Sequence, residues 1–428
     1  MKGLLRNFFL GIVLFLPPMA WILQPHERAP FLLQLGHVVG FCGYALFALS
    51  LLLATRFRVI EKGFDGFDKA YNIHHQLGQW ALTLLIIHPL LIATRFLFRR
   101  MDRLWWFFFP VHQRLAVNLG SYALWLMGAI LLVTFLKMLS YNKWRITHKF
   151  LGVSFALATL HIFLLNETIQ ESMFFKAYFL VFFVIGSVSW IYKEFGYPLL
   201  VKRFDYQVIN VDKLNDKIME IQCRPKKEFL KFTPGQYVFA SFCGEGLSKE
   251  AHPFTLCHLT REKDLKIVVK VLGDYTSHLY ERLKPGYKAK IEGPYGTFNT
   301  QKGGSQQIWV AGGVGITPFL AWARTIADTE DFSKKIDLYY CIHDRSDAVH
   351  QKELLDIQHK IPSFTVQTIC TAEEGHITAS KIKEKSNGLT DKHVFLCGPK
   401  EMTTDLVQQF YELGVPEERI HYEDFAFM

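Results

Sequence analysis

The sequence predicts a bundle of six membrane-spanning helices followed by a soluble module that contains an antiparallel β-barrel and an α/β domain. Half of the 428 residues are hydrophobic and 15% are aromatic, which excludes a disordered chain. Residues 1–192 carry a net charge of +10 around long apolar runs, whereas residues 193–428 carry a net charge of −1. Positive charge that flanks apolar runs is typical of membrane helices and argues against a nucleic-acid partner.

Six apolar stretches have about the 20 residues that a spanning helix needs. They are Leu4–Leu23, Phe31–Ala54, Tyr71–Ala93, Leu115–Leu136, Ile146–Leu165 and Phe174–Tyr192. Pro17 and Pro18 interrupt the first stretch, and no small-residue cleavage site follows it. We therefore interpret it as an uncleaved helix rather than as a signal peptide.

The distribution of Lys and Arg predicts the orientation in the membrane. Basic residues of four segments fall on one side of the bundle, at 2–6, 56–69, 137–149 and 193–203. A fifth segment disagrees, and its aromatic run Trp105–Phe109 suggests an interfacial element; its basic residues are Arg95, Arg99, Arg100, Arg103 and Arg114. We expect an integral protein of a bacterial inner (plasma) membrane, in contact with lipid, with both termini and the soluble module in the cytoplasm.

The pattern changes twice in the second half of the chain. After Pro198, short alternating runs such as Tyr206–Val211 and Tyr237–Phe242 predict an antiparallel barrel. From about Gln307, strands such as Ile308–Ala311 alternate with helical segments, which predicts a parallel sheet. The predicted domains are 1–196 for the membrane bundle, 197–303 for the barrel and 304–428 for the α/β domain.

Four histidines in the predicted spans are candidate metal ligands, because a histidine inside a membrane is costly and usually functional. His74 and His88 lie on the third helix, and their spacing places them within about 40° of one face and about 21 Å apart. His148 and His161 lie on the fifth helix, but their spacing is one residue shorter. Some distortion of that helix is needed before both can face the same partner.

Each of these helices also has a glycine four residues after a histidine. Gly78 follows His74 and Gly152 follows His148, which we expect to leave room for a flat macrocycle. The repeated pattern favours His74 over His75 as the buried member.

Both helices run in the same direction, so His74 is expected to face His148, and His88 to face His161. Two stacked bis-histidine haems are the chemical interpretation. The alternative is that these histidines only form hydrogen bonds between helices.

Three motifs in the soluble half add to the histidine pairs. They are the sequence HPFTL at His252–Leu256, the turn AGGVGITP at Ala311–Pro318, and the sequence CGP at Cys397–Pro399. With them, the chain resembles the NADPH oxidase / ferric reductase transmembrane family over essentially its whole length. It is similar to the compact, prokaryotic-type members, since no calcium-binding hands are present. The soluble module is then expected to be ferredoxin-reductase-like.

The resemblance implies that the barrel binds FAD. Phe254 then packs on the isoalloxazine ring, Thr255 hydrogen-bonds near its reactive nitrogen, and His252 stands where the wider ferredoxin-reductase group has a phosphate-facing arginine. Taken alone, the HPFTL sequence is equally compatible with an ordinary edge strand. The expected FAD-binding residues are Gln236, Tyr237, His252, Pro253, Phe254, Thr255, Lys270, Gly273, Tyr275 and Thr276.

The glycine turn of the α/β domain is expected to place backbone amides against the pyrophosphate of a nicotinamide nucleotide. Thr317 is predicted to be the N-cap of the next helix and Pro318 its first residue. By resemblance, Cys397 lies beside the reactive carbon of the nicotinamide, and a buried structural cysteine is the alternative. The residues expected here are Gly312, Gly313, Gly315, Thr317, Pro318, Cys397, Gly398 and Pro399.

Two more residues are assigned to the nucleotide and flavin. By resemblance, Phe425 covers the flavin and moves when the nicotinamide stacks. Arg345 follows the second strand of the α/β domain and is placed to bind a 2′-phosphate, which favours NADPH. The neighbouring Asp344 favours NADH instead, and a surface salt bridge is the alternative role for Arg345.

The function implied by the resemblance is electron transfer across the membrane. Hydride passes from NADPH to FAD, and single electrons then pass through the inner haem (His74, His148) and the outer haem (His88, His161) to an external acceptor. We expect oxygen as the acceptor, giving superoxide, with a ferric chelate as the alternative. A haem- and flavin-binding sensor without turnover is a further alternative. Trp80 and Phe155 lie at a depth between the haems, where an aromatic ring either aids electron transfer or only packs.

Overall fold

In the computed structural model, the chain divides into two compact units, Met1–Leu200 and Val201–Met428. The structure describes residues 30–96, 107–136, 138–165, 172–259, 263–330 and 332–424, together with positions 11, 15–17, 19, 21 and 104. The first predicted span, Leu4–Leu23, lies largely outside the described residues. Each unit has its own fold.

The N-terminal unit is helical. Its helices are α1 (Phe31–Leu53), α2 (Arg58–Phe64), α3 (Phe67–Ala93), α4 (Leu115–Phe135), α5 (Tyr141–Lys149), α6 (Leu151–Leu165), α7 (Met173–Ile191) and α8 (Tyr197–Leu200). Among the described residues, five segments are long and apolar enough to cross a membrane. They overlap the last five predicted spans, which are therefore confirmed as apolar helices.

The span predicted at Ile146–Leu165 is divided into two helices, α5 and α6, that meet at Phe150. The Phe150 amide bonds to the carbonyl of Thr147 at 3.1 Å, a three-residue contact that tightens the helix locally. The indole of Trp190 on α7 donates to the Lys149 carbonyl at 3.0 Å, which satisfies a backbone group at the division. This division supplies the distortion that the spacing of His148 and His161 requires.

Helix α1 lies at the centre of the helical unit. Tyr44, Ala45 and Ala48 are at most 1% exposed there. A Cβ at Gly43 would lie 2.9 Å from Cγ of Leu85 on α3, so the two backbones approach closely. Small residues at such contacts are how helices pack in a membrane, where no hydrophobic effect drives their association.

The C-terminal unit begins with a closed antiparallel barrel. Its strands are β1 (Arg203–Asn215), β2 (Ile218–Pro225), β3 (Tyr237–Cys243), β4 (His252–Leu259), β5 (Leu265–Lys270) and β6 (Lys288–Tyr295). They are ordered β1-β2-β5-β4-β3-β6, and β6 pairs with β1 to close the barrel. Helix α9 (Asp274–Arg282) contributes Tyr275 and Leu279 to the barrel core.

The rest of this unit is an α/β domain. Its strands are β7 (Gln306–Gly312), β8 (Lys335–Ile342), β9 (Phe364–Cys370), β10 (His393–Gly398) and β11 (Ile420–Asp424), and its helices are α10 (Thr317–Thr329), α11 (Gln351–Lys360), α12 (Thr371–Glu374), α13 (Ala379–Lys385) and α14 (Lys400–Glu412). The sheet order is β11-β10-β7-β8-β9, and every pair is parallel. The predicted fold class, apolar helices followed by a ferredoxin-reductase-like module, is confirmed.

Candidate functional site

The four predicted histidine ligands form two pairs in the helical unit. The ring centres of His74 and His148 are 6.4 Å apart, and those of His88 and His161 are also 6.4 Å apart. Two imidazoles that share one metal ion, with metal–nitrogen bonds of about 2 Å, have ring centres about 6 Å apart. Both separations therefore fit a single metal ion between the rings.

Backbone carbonyls of neighbouring helices orient three of these rings. Nδ1 of His74 lies 2.8 Å from the carbonyl oxygen of Ser50, and Nδ1 of His88 lies 2.8 Å from that of Gly36. Nδ1 of His161 lies 2.7 Å from the carbonyl oxygen of Ala116. An Nδ1–H that donates to a carbonyl leaves Nε2 with its lone pair for a metal.

Glycines allow α1 and α4 to approach the second pair. A Cβ at Gly40 would lie 2.6 Å from Nδ1 of His88, and a Cβ at Gly120 would lie 2.7 Å from Nδ1 of His161. Sequence reasoning missed both glycines, because neither lies on the helix that carries the histidine. When a glycine on one helix faces a histidine on another, no spacing pattern in the sequence of either helix links the two residues.

The glycines that the sequence did select behave differently from each other. Among the described residues, no atom lies within 4 Å of where a Cβ of Gly78 would sit, in agreement with the open space expected there. A Cβ at Gly152 would lie 2.1 Å from the indole of Trp190. The expectation that Gly152 leaves room for a macrocycle is therefore wrong, since this glycine packs against α7.

A cavity of about 1140 Å³ opens beside the second pair, with His88 and His161 in its wall. This exceeds the roughly 300–1,000 Å³ of typical small-molecule pockets. Arg95 and Arg114 line the same cavity with aromatic residues such as Phe107. The other three arginines of the predicted interfacial segment lie outside the described residues.

Among the described residues, each histidine pair supplies two imidazoles as candidate metal ligands. Within the described part of the chain, no group of three or more His, Cys, Asp or Glu side chains is placed to hold a metal ion. Two ligands suit an ion that a macrocycle already coordinates, because haem iron needs only axial ligands from the protein. The residues present therefore fit haem.

An aromatic stack lies in the core of the helical unit. Tyr44 and Phe155 are parallel within 7° at 4.9 Å between ring centres, and the Tyr44 hydroxyl is 2.8 Å from Oγ1 of Thr159. Phe155 is 1% exposed, whereas Trp80 is 60% exposed on the outside of the unit. Phe155 therefore packs in the core of the unit, whereas a role for Trp80 between the haems stays a prediction.

The predicted FAD residues of the barrel lie on adjacent strands. Thr255 on β4 pairs directly with Tyr237 on β3, and Phe254 pairs with Val238. At the start of β4, the His252 ring stacks on Tyr275 at 3.8 Å. This stacking places the start of β4 beside the N-terminus of α9, where a phosphate is favoured.

Several polar groups at this site already have partners within the protein. The Gln236 amide donates to the Gly296 carbonyl at 3.1 Å, so this side chain joins two turns. Oγ1 of Thr276 accepts from the Gly273 amide at 3.0 Å. Lys270 forms an ion pair with Asp347 at 3.6 Å. If these groups bind FAD, they must exchange these internal contacts for contacts with the cofactor.

The glycine turn packs directly against the end of β10. Gly313 has a φ of +54°, which favours glycine, and no neighbour blocks its outer side more closely than Lys270 Nζ at 4.0 Å. A Cβ at Gly315 would lie 2.2 Å from the Cys397 carbonyl oxygen, and one at Gly312 would lie 2.7 Å from Pro399. Two predicted motifs, 80 residues apart in the chain, thus form one surface.

Thr317 and Cys397 both contribute to the packing around this turn. Thr317 is the first residue of α10 and not its N-cap, because its hydroxyl donates to the Val314 carbonyl at 3.0 Å instead of accepting from a helical amide. That prediction is wrong, and Pro318, predicted to be the first residue of the helix, is its second. Cys397 is 0% exposed and belongs to the hydrophobic core between the sheet and its helices.

Arg345 and Phe425 are the remaining predicted residues. Arg345 forms an ion pair with Glu373, with Nε 2.8 Å from Oε1 and Nη2 2.5 Å from Oε2. The side chains are 70% and 48% exposed, so a ligand can reach them. Phe425 lies outside the described residues.

A buried ion cluster that the sequence did not reveal joins the barrel to the α/β domain. Arg324 on α10 donates to Glu220 on β2 at 2.9 Å and to Glu353 on α11 at 2.7 Å. Lys266 on β5 donates to Glu220 at 2.7 Å. A charged residue on an otherwise apolar helix face is the only signal in the sequence, and it does not identify the partners.

Three family models match the chain in succession. Residues 39–159 match the ferric reductase like transmembrane component, residues 203–299 match an FAD-binding domain, and residues 309–408 match an oxidoreductase NAD-binding domain. Their order and ranges agree with the helical bundle, the barrel and the parallel sheet. The chain is therefore an NAD(P)H-dependent flavin oxidoreductase with a membrane domain.

Curated relatives match the soluble half. The ferredoxin–NAD(P)(+) reductase component of the naphthalene 1,2-dioxygenase system of Pseudomonas putida is 26% identical over 51% of this chain and 67% of its own length. Flavohemoprotein A of Dictyostelium discoideum is 28% identical over 47% of this chain and 54% of its own length. The chain thus spans between about half and two thirds of the length of these relatives.

One solved structure covers most of the chain. The flavohemoglobin from Malassezia yamatoensis, with bound FAD and haem, is 17% identical over 91% of this chain and 96% of its own, with a TM-score of 0.53. At this identity the likeness concerns the fold alone.

Proposed function

Because the chain has the domain architecture of the NADPH oxidase / ferric reductase family, we propose that it transfers electrons from NADPH through FAD and two haems to an acceptor across the membrane. The observation that carries this proposal is the pair of equal 6.4 Å separations between histidine rings on α3 and the α5–α6 segment. In this proposal His74 and His148 hold the inner haem, and His88 and His161 hold the outer haem.

Bound FAD accepts a hydride and releases single electrons, which haem iron then carries one at a time. The protein supplies binding and orientation. Tyr237 on β3 and Phe254 and Thr255 on the adjacent strand β4 bind the flavin. The turn at Gly313 directs backbone amides toward the nucleotide. Carbonyl groups keep His88 and His161 in the tautomer that ligates through Nε2.

The proposed orientation places the soluble module and both termini in the cytoplasm of a bacterium. Four basic segments on that side, at 2–6, 56–69, 137–149 and 193–203, follow the positive-inside rule. The cavity beside His88 and His161 then opens toward the outside, where the acceptor arrives.

Oxygen is the proposed acceptor, and superoxide is the product, because a small molecule reaches an exposed haem edge without a dedicated site. A ferric chelate is the second candidate. Arg95 and Arg114 favour it, since two cations in the wall of the cavity attract an anionic complex. The match to a ferric reductase transmembrane component supports the same candidate.

A spectrum of the purified protein tests the electron path. We expect two haems per chain by the pyridine haemochrome assay, and reduction of both by NADPH under nitrogen. The variant His148→Leu should keep NADPH-dependent flavin reduction but lose one haem and all transfer to the acceptor. Two retained haems in that variant would falsify the ligand assignment.

The acceptor is tested by NADPH-driven turnover with oxygen and with ferric citrate. For an oxidase, superoxide dismutase suppresses the apparent reduction of the chelate, and oxygen consumption exceeds the anaerobic rate of chelate reduction. Two results together would favour the ferric-reductase function over the oxidase function. Chelate reduction would be unaffected by the dismutase, and its anaerobic rate would exceed the rate of oxygen consumption.

A further inference from the structure

We propose that Trp144 is the residue that positions the His148 ring, so that the two haem sites differ in how firmly their ligands are held. This inference rests on the proposed function, because it concerns the residues that would hold the haem between His74 and His148. Nothing in the sequence distinguishes Trp144 from other aromatic residues near a membrane surface.

Within the described part of the chain, His148 lacks the contact that the other three histidines share. Nδ1 of His74, His88 and His161 lies within 2.8 Å of a backbone carbonyl oxygen. Nδ1 of His148 is buried and has no hydrogen-bond partner among the described residues. A donated hydrogen bond normally fixes both the tautomer and the rotation of a ligating imidazole, and here that restraint is missing.

The indole of Trp144 takes the place of that restraint. The rings of Trp144 and His148 have centres 5.1 Å apart and planes at 37°. Trp144 lies one turn before His148 on α5, on the same face. Contact with a large flat ring limits rotation of the imidazole about its Cβ–Cγ bond.

Trp144 is itself anchored to another helix. Its Nε1–H donates to Oγ1 of Thr134 on α4 at 3.0 Å, and the Thr134 hydroxyl donates to the Ile130 carbonyl at 2.8 Å. The indole therefore cannot rotate freely, and its position is transmitted to the histidine ring. This makes Trp144 a positioning residue that acts through His148.

The chain next to His148 is held separately, by Trp190 on α7 and by Glu194 in the segment that follows α7. Nζ of Lys149 lies 2.5 Å from Oε2 of Glu194, and the Lys149 carbonyl accepts from Trp190. Removing the indole of Trp144 should therefore release the ring of His148 without moving its backbone. Groups that orient a metal-bound histidine typically change metal affinity about 10–100-fold when they are lost.

The test compares Trp144→Leu, Trp144→Phe and the control Trp80→Leu in the full-length protein. Trp80 lies on α3, the helix of His74, but is 60% exposed. Haem content and carbon monoxide binding to the dithionite-reduced protein are measured, because carbon monoxide binds a six-coordinate haem only when a histidine detaches. Each variant is also made in a His161→Leu background, which leaves only the haem at His74 and His148.

We expect Trp144→Leu to lower haem affinity at that site about 10–100-fold or to make that haem bind carbon monoxide. Trp144→Phe, which retains a ring, and Trp80→Leu should keep both haems closed to carbon monoxide. In the variants that keep His161, retention of the haem at His88 and His161 shows that the helical bundle is folded.

Three results overturn the inference: no change in Trp144→Leu, the same change in Trp80→Leu, or loss of both haems in Trp144→Leu. A wild-type protein that binds no haem would contradict the proposed function itself. If the wild-type protein binds two haems and Trp144→Leu changes neither haem content nor carbon monoxide binding, only the role of Trp144 is contradicted.

Discussion

Arg345 is held by Glu373, so its role in nucleotide selection depends on competition between two anions. The hydrogen-bonded Arg345 guanidinium lowers the pKa of Glu373, which keeps this carboxylate charged. Exposed ion pairs contribute only about 0–1 kcal/mol. A 2′-phosphate carries more charge than a carboxylate and binds a guanidinium at two oxygens, so it is able to displace Glu373.

We predict that Arg345→Ala lowers kcat/KM for NADPH about tenfold while that for NADH stays unchanged, because only NADPH loses a charged hydrogen bond to its 2′-phosphate. Glu373→Gln should raise kcat/KM for NADPH, because it removes the carboxylate charge that competes for Arg345 but keeps the shape of the side chain. Steady-state flavin reduction with both nucleotides measures the ratio. An unchanged NADPH/NADH ratio in Arg345→Ala excludes this residue as the selector.

The turn between β7 and α10 shows how one structural element brings two motifs together. Gly315 faces the carbonyl of Cys397, and Gly312 faces Pro399 and Met402. The parallel pairing of β7 with β10, which aligns Ala311 with Cys397, places the ends of both strands at the same edge of the sheet. Ligands of open α/β sheets bind at that edge, where the strands end.

Gly315→Ala should displace this turn, because the added Cβ would lie 2.2 Å from the Cys397 carbonyl oxygen. We expect weaker NADPH binding and a loss of about 1–3 kcal/mol in the free energy of unfolding. Gly304→Ala is the matched control, since its Cβ meets nothing closer than 3.6 Å. Equal NADPH affinity in both variants would show that the close approach is unimportant.

In the C-terminal unit as a whole, stability depends on the cluster of Arg324, Glu220 and Glu353 between the barrel and the α/β domain. Burial raises the pKa of Glu220, but Arg324 and Lys266 outweigh this and lower it. A carboxylate with a lowered pKa contributes stability above its ordinary pKa and loses that contribution as the pH falls toward the folded-state value. Acid should therefore loosen this junction.

We predict that Arg324→Leu lowers the free energy of unfolding by about 3–5 kcal/mol, because it leaves the buried Glu220 without its partner. Lys202→Ala removes an ion pair in which both side chains are more than 60% exposed, and should cost about 0–1 kcal/mol. Release of FAD during denaturation, followed by flavin fluorescence, measures both. Similar costs would contradict a special role for the buried cluster.

The order of domains and the helices were predictable because both depend on local patterns. Long apolar runs, alternating strands and glycine turns have periods that a sequence displays directly. The pairing of His74 with His148 followed from spacing on two parallel helices. The predictions for Gly152 and Thr317 were wrong, because each depended on the direction in which one residue faces a neighbour. The spacing of residues along a helix limits which face a side chain occupies, but it does not determine which neighbouring residue that side chain contacts.

Composition and periodicity are thus sufficient to establish the architecture and to select four histidines, since burial in a membrane makes such residues costly wherever they occur. What holds each ring depends on contacts between distant segments. The carbonyl that orients His88 is 52 residues away, and the one that orients His161 is 45 residues away. Such backbone acceptors have no residue identity that a sequence could reveal. The packing of Trp144 against the His148 ring, and the lack of an acceptor for that ring among the described residues, therefore emerge only when the helices are assembled.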